Sequence, residues 1–231
     1  MCRMLGLKDF VFRRHREILE NFFKLAESGK NLPGDTPGHL DGWGVGFYKN
    51  GKAFVHKSGS SIVKEKREFF DICERVKASR ILLLHLRKSS WSGTSKLAHA
   101  HPFVAGNILF THNGTIRDFK ALRKRITHDP PHPEALDSEV YFRYVMNFAP
   151  LGLAKAIRKA ACHIKTSHTY SSLTCLFADG NLLYGFREYT KNPWYYSLYY
   201  TPDQEATIVA SQPVSPDLRW RMLPKGKLFT F

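Results

Sequence analysis

The run Ser172-Leu-Thr-Cys-Leu-Phe-Ala178 is apolar on both of its faces. A strand that alternates apolar and polar residues can leave one side in water, but a strand like this one must be covered on both. Residues 81–84 (Ile-Leu-Leu-Leu) repeat the pattern, and stretches of helical periodicity lie between the two. The covers available are therefore another sheet and a set of helices. The order along the chain is strands, then helices, then strands again, which predicts an α+β sandwich in one domain.

Periodicity gives the expected elements. Ile18, Leu19, Phe22, Phe23 and Ala26 recur at helical spacing and predict a helix near 13–27, ended by Gly29. Asn50-Gly51 predicts a type I′ turn inside a hairpin over 44–57. A helix over 62–78 is expected to bury Phe69, Cys73 and Val76, and strands are expected at 81–87 and 107–112. Helices follow at 116–126, 138–148 and 151–165; the last carries the stripe Leu153, Ala154, Ile157, Ala160, Ala161 and Ile164. The expected closing strands are 169–178, 181–188, 194–201, 206–211 and 227–231, with a turn at Asp179-Gly180.

With 231 residues, 43% of them hydrophobic, the chain can bury a sizeable core. No apolar run approaches the ~18 residues of a membrane span. Arg13, Arg14, His15 and Arg16 follow Leu5 too soon for a signal peptide, so the expected location is the cytoplasm. Cys2, Cys73, Cys162 and Cys175 have no metal-finger spacing, and the last three read as core thiols. The net charge of +15 favours anionic partners. Its densest run, Arg117, Lys120, Arg123, Lys124 and Arg125, fits the solvated side of a helix better than a nucleic-acid patch. The aromatic stretch Trp194, Tyr195, Tyr196, Tyr199 and Tyr200 offers stacking groups for bases, but it fits a buried strand better.

Cys2 has the most unusual chemical setting. Removal of the preceding methionine leaves a thiol and an α-amine on one carbon, and an α-amine titrates at about 7.7–8.0. One residue can then supply both a nucleophile and its base. Further polar segments raise the same question: Leu40-Asp-Gly-Trp-Gly-Val-Gly-Phe47, His85-Leu-Arg87, His99-Ala-His-Pro-Phe103, Phe110-Thr-His-Asn-Gly114 and Asp137-Ser-Glu139. Each also has a plain structural reading: a tight glycine turn, a salt-bridge arginine, a hairpin turn at Asn113-Gly114, a helix cap at Asp137. His85, His99, His101 and His112 lack the carboxylate or cysteine that would complete a metal site, so no metal or cofactor is expected.

Together, and in this order, the segments resemble the glutaminase domain of class II glutamine amidotransferases, of the N-terminal nucleophile hydrolase superfamily, and in particular its stand-alone members. The resemblance runs from Cys2 to about Phe148 and returns at Val209-Ala-Ser-Gln-Pro-Val214 and Trp220. It implies a four-layer αββα sandwich of two stacked, mainly antiparallel sheets flanked by helices, spanning residues 2–231 as a single domain. It further implies Cys2 as nucleophile, Asn113 and Gly114 as the oxyanion hole, and Arg87, Asp137 and His112 as substrate-binding residues. The substrate implied is glutamine or a γ-glutamyl compound, cleaved through a glutamyl thioester. A synthase acting in trans would take the ammonia; the alternatives are a γ-glutamyl peptide or conjugate hydrolase with no ammonia transfer, and a non-catalytic basic relative that binds nucleic acid. Two departures from the family pattern are plain: Lys88-Ser-Ser-Trp-Ser-Gly93 follows the arginine, with Ser89 or Ser90 in place of a threonine, and Gln212 stands where a glutamate is usual.

Overall fold

The computed structural model describes residues 2–202 and 207–231; Met1 and residue 206, at the start of the strand expected over 206–211, lie outside them. The chain begins with β1 (Arg3–Val11) and α1 (Phe12–Ser28), then the hairpin β2 (Trp43–Lys49) and β3 (Lys52–Ser58). Next come α2 (Lys66–Val76), β4 (Ala78–Leu86), β5 (Phe103–Ala105) and β6 (Ile108–Asn113). Three helices follow, α3 (Phe119–Arg123), α4 (Asp137–Met146) and α5 (Leu153–Ser167). The closing strands are β7 (Thr174–Ala178), β8 (Leu183–Arg187), β9 (Tyr199–Tyr200), β10 (Ile208–Ala210), β11 (Arg221–Met222) and β12 (Lys227–Thr230).

These strands form two antiparallel sheets, one ordered β11-β9-β10-β1-β4-β2-β3 and the other β12-β8-β7-β6-β5. The side chains of β4 show why its apolar run needs two covers. Leu82 and Leu84 face α1 and α2 and pack with Phe22, Phe69 and Ile72. Ile81 and Leu83 point the other way, into the space between the sheets, where they meet Leu109, Leu176 and Leu183. On the far side of the second sheet, Phe110 and Phe177 pack under α4 and α5 with Val140, Tyr141, Ile157 and Ala160. The result is the four-layer αββα arrangement, with three stacked apolar layers. Each fully buried Leu or Phe contributes on the order of 1.5–3 kcal/mol by leaving water.

Several expectations are adjusted. β1 was not among the expected strands, because Arg3, Lys8 and Asp9 interrupt its apolar pattern; pairing with β4 on one side and β10 on the other holds it extended. The expected helix over 116–126 contracts to Phe119–Arg123. The expected strand over 194–201 contracts to Tyr199–Tyr200, since the amides of Tyr195 and Tyr196 both turn back onto the Asn192 carbonyl. Tyr195 and Tyr196 are buried there, so they are not available to stack on bases. Cys73 and Cys175 are core thiols as expected, but Cys162 is exposed on α5. Asn113-Gly114 is not a hairpin turn: β6 ends at Asn113 and the chain runs on through a loop.

Candidate active site

The N-terminal end of β1 and the C-terminal end of β6 meet where the two sheets face each other. The backbone nitrogen of Cys2 donates to Asn113 Oδ1 at 3.1 Å, and the Cys2 thiol lies 3.7 Å from the Lys88 carbonyl. Because Asn113 Oδ1 accepts that bond, Nδ2 is the outward donor of the amide. It is buried with no hydrogen-bond partner among the described residues, a costly state for an amide unless something arrives to accept from it. Gly114 follows directly, and a Cβ there would collide with the Ser172 carbonyl and the His112 ring. Only glycine lets the backbone run this close. Gly44 does the same service on the other side, since a Cβ there would strike the His101 carbonyl and push segment 99–103 away from β2.

The wall beside this junction is built differently. Arg87 leaves the end of β4 and is buried. Its guanidinium donates to the Thr94 carbonyl at 2.8 Å, Ser89 Oγ at 3.0 Å, Thr94 Oγ1 at 3.1 Å and the Asp41 carbonyl at 3.3 Å. Asp137 opens α4, and both carboxylate oxygens are in use: Trp91 Nε1 donates at 3.1 Å and the Ile116 amide at 2.9 Å. Burial pushes the Asp137 carboxyl up to about 6, against the pull of those donors and of the first amides of its own helix. Arg87 is drawn down by burial, while Cys2, Asp41 and Asp137 favour its charge. Arg3, fully buried on β1 with its guanidinium 4.9 Å from the Tyr195 ring centre, is likewise drawn down by burial, with Tyr195 and Cys2 favouring the cation. Both buried guanidinium groups thus lie within electrostatic reach of Cys2.

The histidines form the support behind the site. His112 donates from Nε2 to the Ser172 carbonyl at 3.0 Å and accepts from Ser138 Oγ at Nδ1, 2.9 Å away. Both ring nitrogens are therefore spent inside the protein, and burial lowers His112 to about 4, so the ring is neutral. His85 donates to the His112 carbonyl at 3.2 Å and stacks on His101 at 4.1 Å; burial lowers it to about 3. Among the described residues no group of three or more His, Cys, Asp and Glu side chains could hold a metal ion. Gln212 has a structural contact: its Oε1 accepts the Lys30 amide at 3.1 Å, tying the C-terminal segment to the loop after α1.

A cavity of about 410 Å³ is lined by Lys88, Ser89, Ser90, Trp91, Thr115, Asp35, Arg117 and Tyr196; Cys2 is not in the lining, but its thiol lies 3.7 Å from the Lys88 carbonyl. That size suits a small ligand, for which pockets run ~300–1,000 Å³. The Lys88-Ser-Ser-Trp departure from the family pattern is therefore part of the cavity lining, with the Ser90 and Thr115 hydroxyls 3.0 Å apart. Asp35 and Tyr196 belong to no motif, and Arg117 read as part of a solvated helix face; three distant loops bring them together. Neither this cavity nor a larger groove of about 870 Å³ between the β2–β3 hairpin and α2 is lined by Cys2, Arg87, His112, Asn113, Gly114 or Asp137 themselves.

Against known protein families, residues 1–196 match the model described as glutamine amidotransferases class-II. The chain belongs to this family. Among curated relatives it is 27% identical over 201 residues to the uncharacterized protein MJ1515 of Methanocaldococcus jannaschii, covering 82% of this chain and 51% of that one. It is 26% identical over 145 residues to the glutamine–fructose-6-phosphate aminotransferase of Geobacillus kaustophilus, covering 60% of this chain but 24% of the relative. The chain thus spans about half the length of the first of these relatives and about a quarter of the second. YafJ of Escherichia coli, which carries a glutamine amidotransferase name, is 22% identical and matched nearly end to end, 98% of this chain and 96% of that one. Among solved structures, a glutamine aminotransferase class-II domain protein from Silicibacter pomeroyi superposes with a TM-score of 0.65 at 21% identity, over 99% of this chain and 94% of that one. The allosteric regulatory enzyme of purine biosynthesis gives 0.72 at 15% identity, over 99% of this chain and 46% of that one. These two likenesses establish the shared fold.

Proposed function

We propose that this class II glutamine amidotransferase, acting as one domain over residues 2–231, cleaves the γ-amide of glutamine or of a γ-glutamyl conjugate with Cys2 as its nucleophile. The observation that carries the reading is the Cys2–Asn113 contact together with the open, buried Asn113 Nδ2. Once Met1 is removed, the nitrogen of Cys2 becomes an amine anchored by Asn113 and able to take the thiol proton. The sulfur attacks the amide carbon, and the oxyanion that forms is held by Asn113 Nδ2 and the Gly114 amide. Collapse releases the amine and leaves a glutamyl thioester, which water hydrolyses to glutamate.

Arg87 and Asp137 hold the glutamyl head group in this reading, carboxylate on the guanidinium and ammonium on the carboxylate. For that, Trp91, Thr94 and Ser89 share or yield the bonds they make now. His112 serves the site from behind, keeping its loop against Ser172. Any ammonia acceptor is a separate synthase acting in trans, whereas direct hydrolysis of a γ-glutamyl conjugate needs no second protein.

The test is glutamate release from glutamine and from a γ-glutamyl dipeptide by the protein and by Cys2→Ala. The reading expects turnover of at least one of the two, lost in the variant. Cleavage undiminished in Cys2→Ala, or no cleavage of either compound by a chain shown by mass to begin at Cys2, contradicts it.

A further inference from the structure

The 410 Å³ cavity is lined by Ser89, bonded to Arg87, and by Trp91, bonded to Asp137, which links it to the glutamyl head group proposed above. The same lining also carries Asp35, Arg117 and Tyr196. Arg117 is exposed, and its guanidinium makes no hydrogen bond or ion pair with the described residues, although its backbone N–H donates to the Thr169 carbonyl at 2.8 Å. Lys88, the other cation in the lining, is engaged: its amine donates to the Thr36 and Gly38 carbonyls. Burial chiefly raises the Tyr196 hydroxyl, a hydrogen bond with Ser171 lowers it, the Cys2 and Asp35 charges raise it further, and Arg117 lowers it. Nucleophile, carboxylate and guanidinium therefore all lie within electrostatic reach of one hydroxyl.

Resting on the proposed Cys2 chemistry, we infer that Arg117 is a specificity residue for the leaving group, seating the carboxylate of an amino acid or peptide attached to the γ-glutamyl carbon through its nitrogen. In the step that releases it, the new C–S bond to Cys2 forms, the C–N bond breaks, and the thiol proton passes to the departing nitrogen. The released amino acid is then an ammonium and a carboxylate, and the cavity lining offers a pole for each, Asp35 and Arg117. Water regenerates the thiol and gives free glutamate. Ammonia, the leaving group from glutamine, has nothing to place on Arg117.

The experiment compares kcat/KM for γ-glutamylglycine with that for γ-glutamylglycinamide, which differ only in the terminal charge. The wild type is expected to favour the free carboxylate by about tenfold, the scale of one charge-assisted bond at a partly solvated site. Arg117→Ala brings the ratio to about one, and Arg117→Glu reverses it. The ratio is insensitive to damage that slows both reactions alike, and both substitutions lie on the surface. A wild type without preference, or a ratio unmoved in Arg117→Ala, overturns the inference while leaving Cys2 hydrolysis standing. Failure to cleave either compound, or glutamine, would bring down the parent reading as well.

Discussion

Two regions meet at Cys2, and they treat their polar groups in opposite ways. On one side, at Asn113 and Gly114, a buried amide donor points at nothing the protein supplies. On the other side, every polar contact resolved for Arg87 and Asp137 is made to the protein itself, through Thr94, Ser89, Asp41, Trp91 and Ile116. An unsatisfied buried donor costs about 1–3 kcal/mol, so in the proposed reading the first region stores part of what an oxyanion would return to it. The second stores none, and it holds the loop 88–94 in shape. A half-open, half-closed site of this kind separates turnover from binding: the open half should govern kcat and the closed half KM.

Substitutions can break or sharpen that contrast, and the largest effect belongs to Gly114→Ala. The added methyl collides with Ser172 and His112, so turnover should fall by more than about 10²-fold as the donor geometry shifts, with a stability loss of about 1–3 kcal/mol from overpacking. Steady-state kinetics and urea denaturation read the two. Next comes Asn113→Ala: kcat is expected to drop about 10²–10³-fold with KM little changed. A change confined to KM would move Asn113 into the binding half.

On the closed side, Asp137→Asn should raise KM for the γ-glutamyl substrate about tenfold or more, the scale of a lost charged hydrogen bond. Its pH dependence is sharper still. The carboxyl is raised to about 6 in the folded protein, against about 3.9 unfolded. The ammonium partner needs the ionised form, so wild-type kcat/KM should fall as pH drops through about 6, and the variant should lose that limb. For stability the sign is opposite. A raised carboxyl contributes stability that is present below about 3.9 and lost as pH rises through about 6. Melting curves of wild type and variant should therefore separate in the variant's favour across that window. The smallest effect is expected of Thr94→Val, which removes one of the guanidinium's partners and should cost about 0.5–1.5 kcal/mol, with a modest shift in KM and none in kcat.

How much could be read from residues alone followed from how local the cause was. Asn50-Gly51 takes positive φ at both positions, 52° and 74°, as the hairpin requires. The both-faced run of β4 needed two covers and has them. β1 escaped notice because its extended shape comes from neighbours at 78–86 and 208–210, which no local pattern encodes. The candidate site divides in the same way. Cys2, Asn113, Gly114, Arg87 and Asp137 lie in short motifs whose residue types suggest chemistry. Asp35, Arg117 and Tyr196 are ordinary residues of three loops, and only the folded chain places them in the lining of one cavity. The neighbours of Trp91 and Gln212 were likewise invisible, since each is an exchange of partners across more than 40 positions of sequence.

The most direct measurement of the central claim is intact mass after incubation with 6-diazo-5-oxo-norleucine, an electrophile shaped like glutamine. The account predicts a chain that begins at Cys2, gains one covalent adduct and loses that adduct in Cys2→Ala. A chain that keeps Met1 and takes no adduct, or one labelled equally in the variant, would contradict it.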